Sequence, residues 1–195
     1  MKTPILTLGL AAALLAAGGC SKSGEHRANP QTPEAQKAAG DKTISAGLAA
    51  DSKFMAAAKA AGLDQTLAGA GPYTVLVPDD AAFGKAPSGT FDAKPENRAQ
   101  LTGMLTNLIL PGTVMAADID KAIEKGKGKA VLATMGGGTL TATKEGGKTV
   151  LADSKGDKAT VTQADDRFSN GVVHHIDAVL MPAKGAAAPP AKAGQ

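Results

Sequence analysis

The chain has no tryptophan, one tyrosine (Tyr73) and four phenylalanines (Phe54, Phe83, Phe91 and Phe168). Aromatics make up 3% of the residues, too few for a platform on which the bases of a single strand could stack. The core must rest on Leu, Val, Ile, Ala and Met. A single cysteine, Cys20, rules out a disulfide within the chain. An excess of one charge is also missing, with 21 Lys and Arg against 18 Asp and Glu. Without a long basic stripe, no nucleic acid partner is expected. There is no Gly-x-Ser-x-Gly elbow and no complete Gly-x-x-x-x-Gly-Lys-Ser/Thr phosphate loop. Histidine occurs only at His26, His174 and His175.

The chain opens on Met1-Lys2, a positive start, followed by an apolar run from Ile5 to Ala17 that is short for a bilayer span. Small residues lead into the cysteine, in Ala16-Ala17-Gly18-Gly19-Cys20. This pattern resembles a bacterial lipoprotein signal, which implies removal of residues 1–19 and lipidation of Cys20. A plain secretory signal with an incidental cysteine is the alternative. Ala17 stands where that pattern prefers Leu, and Ser21 after the cysteine implies sorting to the outer membrane. The expected location is therefore the bacterial cell envelope, with the chain facing the periplasm or the cell surface and its membrane contact made through acylated Cys20. Residues 20–40 are polar, carry Pro30 and Pro33, and read as a flexible tether. Residues 183–195 are Ala, Pro, Lys and Gly up to the final Gln195 and read as a disordered tail. The folded unit is expected over residues 41–182.

Within that unit, Ile44 and Leu48 share one helical face, and Phe54, Ala57, Ala58 and Ala61 share another after an N-cap at Asp51-Ser52. Gly62 is a natural stop. Tyr73-Thr74-Val75-Leu76-Val77 reads as a buried strand ended by Pro78, with Asp79 or Asp80 capping a short helix through Phe83. Pro95 and Glu96 open a helix whose Leu101, Met104, Leu105 and Leu108 form one apolar face. Ile109-Leu110 already reads as extended before Pro111. Lys121 to Lys129 reads as a solvated Lys-Gly loop, with contact to anionic lipid or polysaccharide as the rarer alternative. Strands are expected near Ala130–Thr134, Thr139–Lys144, Thr149–Asp153 and Ala159–Gln163, with a hairpin turn at Glu145-Gly146-Gly147.

The longest β-prone run is Asn170-Gly171-Val172-Val173-His174-His175-Ile176-Asp177-Ala178-Val179-Leu180, bounded by Pro182. Its apolar residues fall on both alternation sets, as in a strand covered on both faces, so it is expected to be the central one. Helices come first and strands last, which argues α+β with a largely antiparallel sheet.

These segments, taken in order, resemble the fasciclin domain. Gly71-Pro72-Tyr73-Thr74-Val75-Leu76-Val77-Pro78-Asp79-Asp80-Ala81-Ala82-Phe83 is similar to its first signature, with Gly62-Leu63 and Thr66-Leu67 before it. Lys94-Pro95-Glu96-Asn97 and Leu110-Pro111-Gly112 with Val114 follow. Ser169-Asn170-Gly171-Val172-Val173-His174 through Ile176-Asp177 to Pro182 is similar to the second. The resemblance implies a fasciclin-like wedge, a twisted and mostly antiparallel β-sandwich with the N-terminal helices on one side. It also implies a non-catalytic adhesion or binding module without a cofactor. Many relatives carry a Tyr-His pair linked to adhesion where Asn107-Leu108 stand here, and an Asp-Ile motif where Asp165-Asp166 stand.

The candidate binding surface is thus Asn107, Leu108, Asp165, Asp166 and His175. Asp80, Asn170, Gly171 and His174 are the structural signature, with His174 hydrogen-bonded. Neighbouring strand residues face opposite ways, so His174 and His175 cannot readily clamp one metal ion, and no metal is expected. The partner is expected to be an envelope protein or polysaccharide, and the chain a monomer. One alternative is a periplasmic binder of a small apolar ligand, lodged around Leu105, Leu108 and Val173. The other, less favoured, is a hydrolase using His174 with an acidic partner.

Overall fold

In a computed structural model of the chain, residues 40–86, 90–92 and 94–181 are described. Cys20, the tether up to residue 39, Pro182 and the Ala/Pro/Lys tail lie outside them. Five helices precede or flank the first two strands: α1 (Ile44–Gly47), α2 (Lys53–Ala61), α3 (Asp64–Ala68), α4 (Asp80–Gly84) and α5 (Arg98–Thr106). The strands are β1 (Tyr73–Pro78), β2 (Ile109–Pro111), β3 (Ala130–Ala133), β4 (Thr139–Glu145), β5 (Lys148–Ala152), β6 (Lys158–Phe168) and β7 (Gly171–Ile176). A sixth helix, α6 (Ala116–Lys125), lies between β2 and β3.

The strands form one seven-stranded sheet in the order β2-β1-β7-β6-β5-β4-β3. Its two ends approach each other, because the Met135 N–H donates to the Ile109 carbonyl at 2.7 Å and the Gly136 N–H to the Thr106 carbonyl at 3.0 Å. The result is an α+β fold whose sheet is curled almost into a barrel. Only the β1–β7 ladder is parallel among those described.

Strand β7 occupies the centre as expected. It pairs with β1 from Tyr73↔Gly171 to Pro78↔Ile176 and with β6 on its other side. Val172, Val173, His174 and Ile176 are buried, and so are Val75, Leu76 and Val77 beside them. The ladder stops at Ile176 rather than at the expected proline, because its partner β1 has already ended at Pro78. Asp177 then turns the chain, taking the Thr160 N–H on Oδ1 at 2.7 Å.

At Gly171 the backbone passes so close to the Tyr73 carbonyl oxygen that an added Cβ would collide with it. Only glycine allows the parallel strand to start there. The hairpin at the other side of the sheet turns through Gly146 and Gly147, whose φ of 57° and 82° are those of a two-residue hairpin loop.

The helices behave largely as their residues dictate. Ser52 caps α2 by accepting the Met55 N–H at 3.3 Å, and Gly62 ends it at φ 76°. Leu101, Met104 and Leu105 of α5 are buried, and α5 packs on α2. After Gly62 the chain makes the short helix α3, in which Leu67 is buried. The expected Lys-Gly loop begins instead inside α6, which runs to Lys125. Ile119 and Ile123, four apart on one helical face and both buried, hold it against the sheet.

Candidate functional site

The polar residues of the second signature converge where α1, β1, α6 and the β6–β7 ladder meet. Asn170 is 8% exposed with its side-chain groups fully engaged. Its Oδ1 accepts the Ile44 N–H at 2.8 Å, and its Nδ2 donates to the Leu67 and Gly69 carbonyls at 2.8 Å each. One side chain thus fixes the start of α1 and the end of α3 against the start of β7.

His174 is 1% exposed and held on both nitrogens. Its Nδ1 accepts the Asp165 N–H at 3.1 Å, so the proton sits on Nε2, which donates to the Val114 carbonyl at 2.8 Å. The tautomer is assigned from those partners. Thr74 completes the network from β1, donating to the Gly112 carbonyl and accepting the Val114 N–H, both at 2.8 Å. The turn between β2 and α6 is therefore pinned by Thr74 on one side and His174 on the other.

Asp165 lies at a register irregularity of β6, between Gln163 and Asp166, with φ at 63°. That bulge swings its carboxylate to the start of α6, where Oδ1 accepts the Ala116 N–H at 2.8 Å. Met115, the residue preceding α6, supplies no side-chain cap of its own.

Asp166 and His175 come together on the opposite face of the ladder. The His175 Nε2 is 4.0 Å from Asp166 Oδ2, and its Nδ1 is 3.8 Å from Asp79 Oδ1. The ring is 25% exposed. Asp79, read in the sequence only as a possible helix cap, was not expected near His175; only the parallel β1–β7 register brings it there. The two carboxylates approach opposite nitrogens of the ring, so they do not converge on a common point. Among the described residues no group of three or more His, Cys, Asp or Glu is placed to hold a metal ion.

Asn107 and Leu108 do not belong to a binding surface. They are 2% and 1% exposed, shut in where the sheet closes, and Asn107 Oδ1 accepts the Thr134 hydroxyl at 3.0 Å. The reason is topological: the chain passes from α5 into β2 at this point, beneath the Thr134–Gly138 turn. Leu105, Leu108 and Val173 are core side chains at 1%, 1% and 0% exposure, so the place considered for an apolar ligand is closed to solvent.

Asp80 also departs from its expected role. Asp79 and Asp80 give α4 no side-chain cap; the Asp80 Oδ1 instead accepts the Lys53 N–H at 3.0 Å, at the start of α2.

Comparison with known proteins agrees with this geometry. The fasciclin domain family model matches residues 50–182. Protein sll1483 of Synechocystis is 38% identical over 141 residues, 71% of each chain. The pig transforming growth factor-beta-induced protein ig-h3 is 33% identical over 127 residues, 65% of this chain but 17% of that longer one. The fold is similar to that of a FAS1 domain pair from the insect cell adhesion molecule Fasciclin I. The TM-score is 0.56 at 20% identity, over 72% of this chain and 51% of the pair. The chain thus spans about half of that two-domain structure. It belongs to the fasciclin domain family.

Proposed function

We propose that the protein is a lipid-anchored, non-catalytic adhesion module of the bacterial cell envelope, fixed to a membrane through acylated Cys20. The observation that carries the non-catalytic reading is the state of the signature residues. Asn170 and His174 are buried and tied to backbone partners on both ends, and the Asp165 carboxylate caps a helix. A histidine whose two nitrogens are both engaged in the interior has no free nitrogen with which to activate a substrate. Such residues build the scaffold, and the exposed surface is left for binding.

Adhesion is supported by the similarity to an insect cell adhesion molecule, and anchoring by the small-residue run before Cys20. Among the described residues no helix is long and apolar enough to cross a membrane. Partners in this reading are an envelope protein or polysaccharide, met by a monomer at the end of its tether.

Fractionation of cells expressing the wild type and Cys20→Ser tests the anchor. Wild type is expected with the membranes and the variant in the soluble fraction. Complete retention of Cys20→Ser with membranes removes the anchor from the account.

A further inference from the structure

Strand β3 ends the sheet. Its backbone pairs with β4 from Ala130↔Ala142 to Ala133↔Thr139. Among the described residues, no hydrogen bond reaches Ala130–Ala133 from the other side. Closure onto β2 begins only at Met135. Outward-facing Val131 is 70% exposed and Met135 37%, two residues apart on either side of exposed Ala133. The run from Ala130 to Met135 carries no charge, proline or glycine. Natural edges are usually blunted by a charge, a proline, a bulge or a covering element, and an edge without them is a template for another strand.

The lysines just before this edge supply the second observation. Lys125, Lys127 and Lys129 are exposed, and none has an ion-pair partner among the described residues. By contrast Lys144 reaches Asp120 at 2.8 Å and Lys158 reaches Glu145. Over residues 121–129 four lysines stand against Glu124.

We propose that β3 is a docking edge for an extended acidic polypeptide segment, which adds as a further strand. Its backbone pairs with Ala130–Ala133, its carboxylates meet Lys125, Lys127 and Lys129, and its alternate side chains lie beside Val131. A second copy of this chain fits less well. Pairing β3 with β3 about a two-fold axis brings Lys129 opposite Thr134 and leaves both basic runs without counter-charge. The inference rests on the adhesion reading and gives its partner a chemistry.

The test uses the full-length chain and three labelled peptides followed by fluorescence anisotropy. The first has a Thr-Val-Thr-Val-Thr centre with glutamates at both ends. The second replaces the glutamates by lysines, and the third keeps them but replaces the valines by prolines. The first is expected to bind at least about tenfold more tightly than the others, a tenfold step being about 1.4 kcal/mol. Val131→Asp and Lys127→Glu/Lys129→Glu should each weaken it by about as much, with unchanged circular dichroism. Equal binding of the proline peptide overturns strand pairing, and equal binding of the lysine peptide overturns the charge argument. Absence of binding at about 1 mM peptide overturns the proposal, since even that affinity is worth only about 4 kcal/mol. Dimerisation through β3, abolished by Val131→Asp, replaces the acidic segment by a second copy. None of these outcomes depends on Cys20, so the anchor is judged separately by fractionation.

Discussion

The carboxylate of Asp165 accepts the N–H of Ala116 at 2.8 Å, 49 positions back along the chain. The same relationship recurs twice: Asn170 Oδ1 takes the first N–H of α1, and Asp80 Oδ1 takes that of α2. Helix starts leave N–H groups without partners, and an oxygen there is favoured by hydrogen bonding and by the helix dipole. Here the oxygens come from a strand, a turn and the start of another helix, all distant in sequence, so capping doubles as tertiary structure. Asp165→Ala is expected to cost about 1–2 kcal/mol in urea unfolding, as for the loss of a cap. Asp165→Asn, which keeps the acceptor, is expected to cost less than half as much. Equal losses would mean that the cap is not what Asp165 contributes.

Asn170→Leu removes one acceptor and two donors at a site that is 8% exposed. Each buried group left without a partner costs about 1–3 kcal/mol. The expected loss is at least about 3 kcal/mol, a large share of a typical domain's stability. Asn170→Asp is the sharper test. It retains the acceptor for Ile44 but turns a carboxylate oxygen toward the Leu67 and Gly69 carbonyls, so it too should destabilise. Wild-type stability for Asn170→Asp would remove the two Nδ2 bonds from the account.

For His174, the geometry fixes the proton on Nε2. Nitrogen NMR of the imidazole at neutral pH should show that tautomer alone, with Nδ1 as the unprotonated acceptor. His174→Ala should lower the unfolding free energy by about 2–4 kcal/mol, combining a cavity with an unpartnered Val114 carbonyl. Undiminished thermal stability of that variant would contradict the structural role.

Gly171→Ala is expected to be among the most damaging single substitutions. Its methyl group would press on the Tyr73 carbonyl where the parallel β1–β7 ladder begins. Separating the strands there loses ladder bonds and core packing together, so a loss of more than about 3 kcal/mol is predicted. A melting temperature within a few degrees of the wild type would show that the two strands can part without cost.

Much of the fold was legible because it is written in local pattern. The valine-rich run announced the central strand, Gly146-Gly147 the hairpin, and Leu101, Met104 and Leu105 the buried face of α5. Helix α6 was obscured by the lysines and glycines that follow it, although Ile119 and Ile123 were four apart in plain view. The polar network was not legible, because its bonds join residues far apart in sequence. Nothing near Asp80 says that it caps α2, and nothing near Asp165 says that a bulge aims it at Ala116. For the same reason Asn107 read as surface at the end of a helix and proved buried where the sheet closes. The burial of Leu108 was already announced by the apolar face it shares with Leu101, Met104 and Leu105, despite its place in the candidate binding surface.

Amide hydrogen exchange of the full chain bears most directly on the central claim, that the second signature is the buried spine of the domain and its polar residues are ties rather than chemistry. The N–H groups of Val172 to Ile176, flanked by β1 and β6, should be among the slowest to exchange, while the outward amides of Ala130 to Ala133 should exchange fast. Fast exchange across Val172 to Ile176, at the rate of that outer edge, would contradict the account.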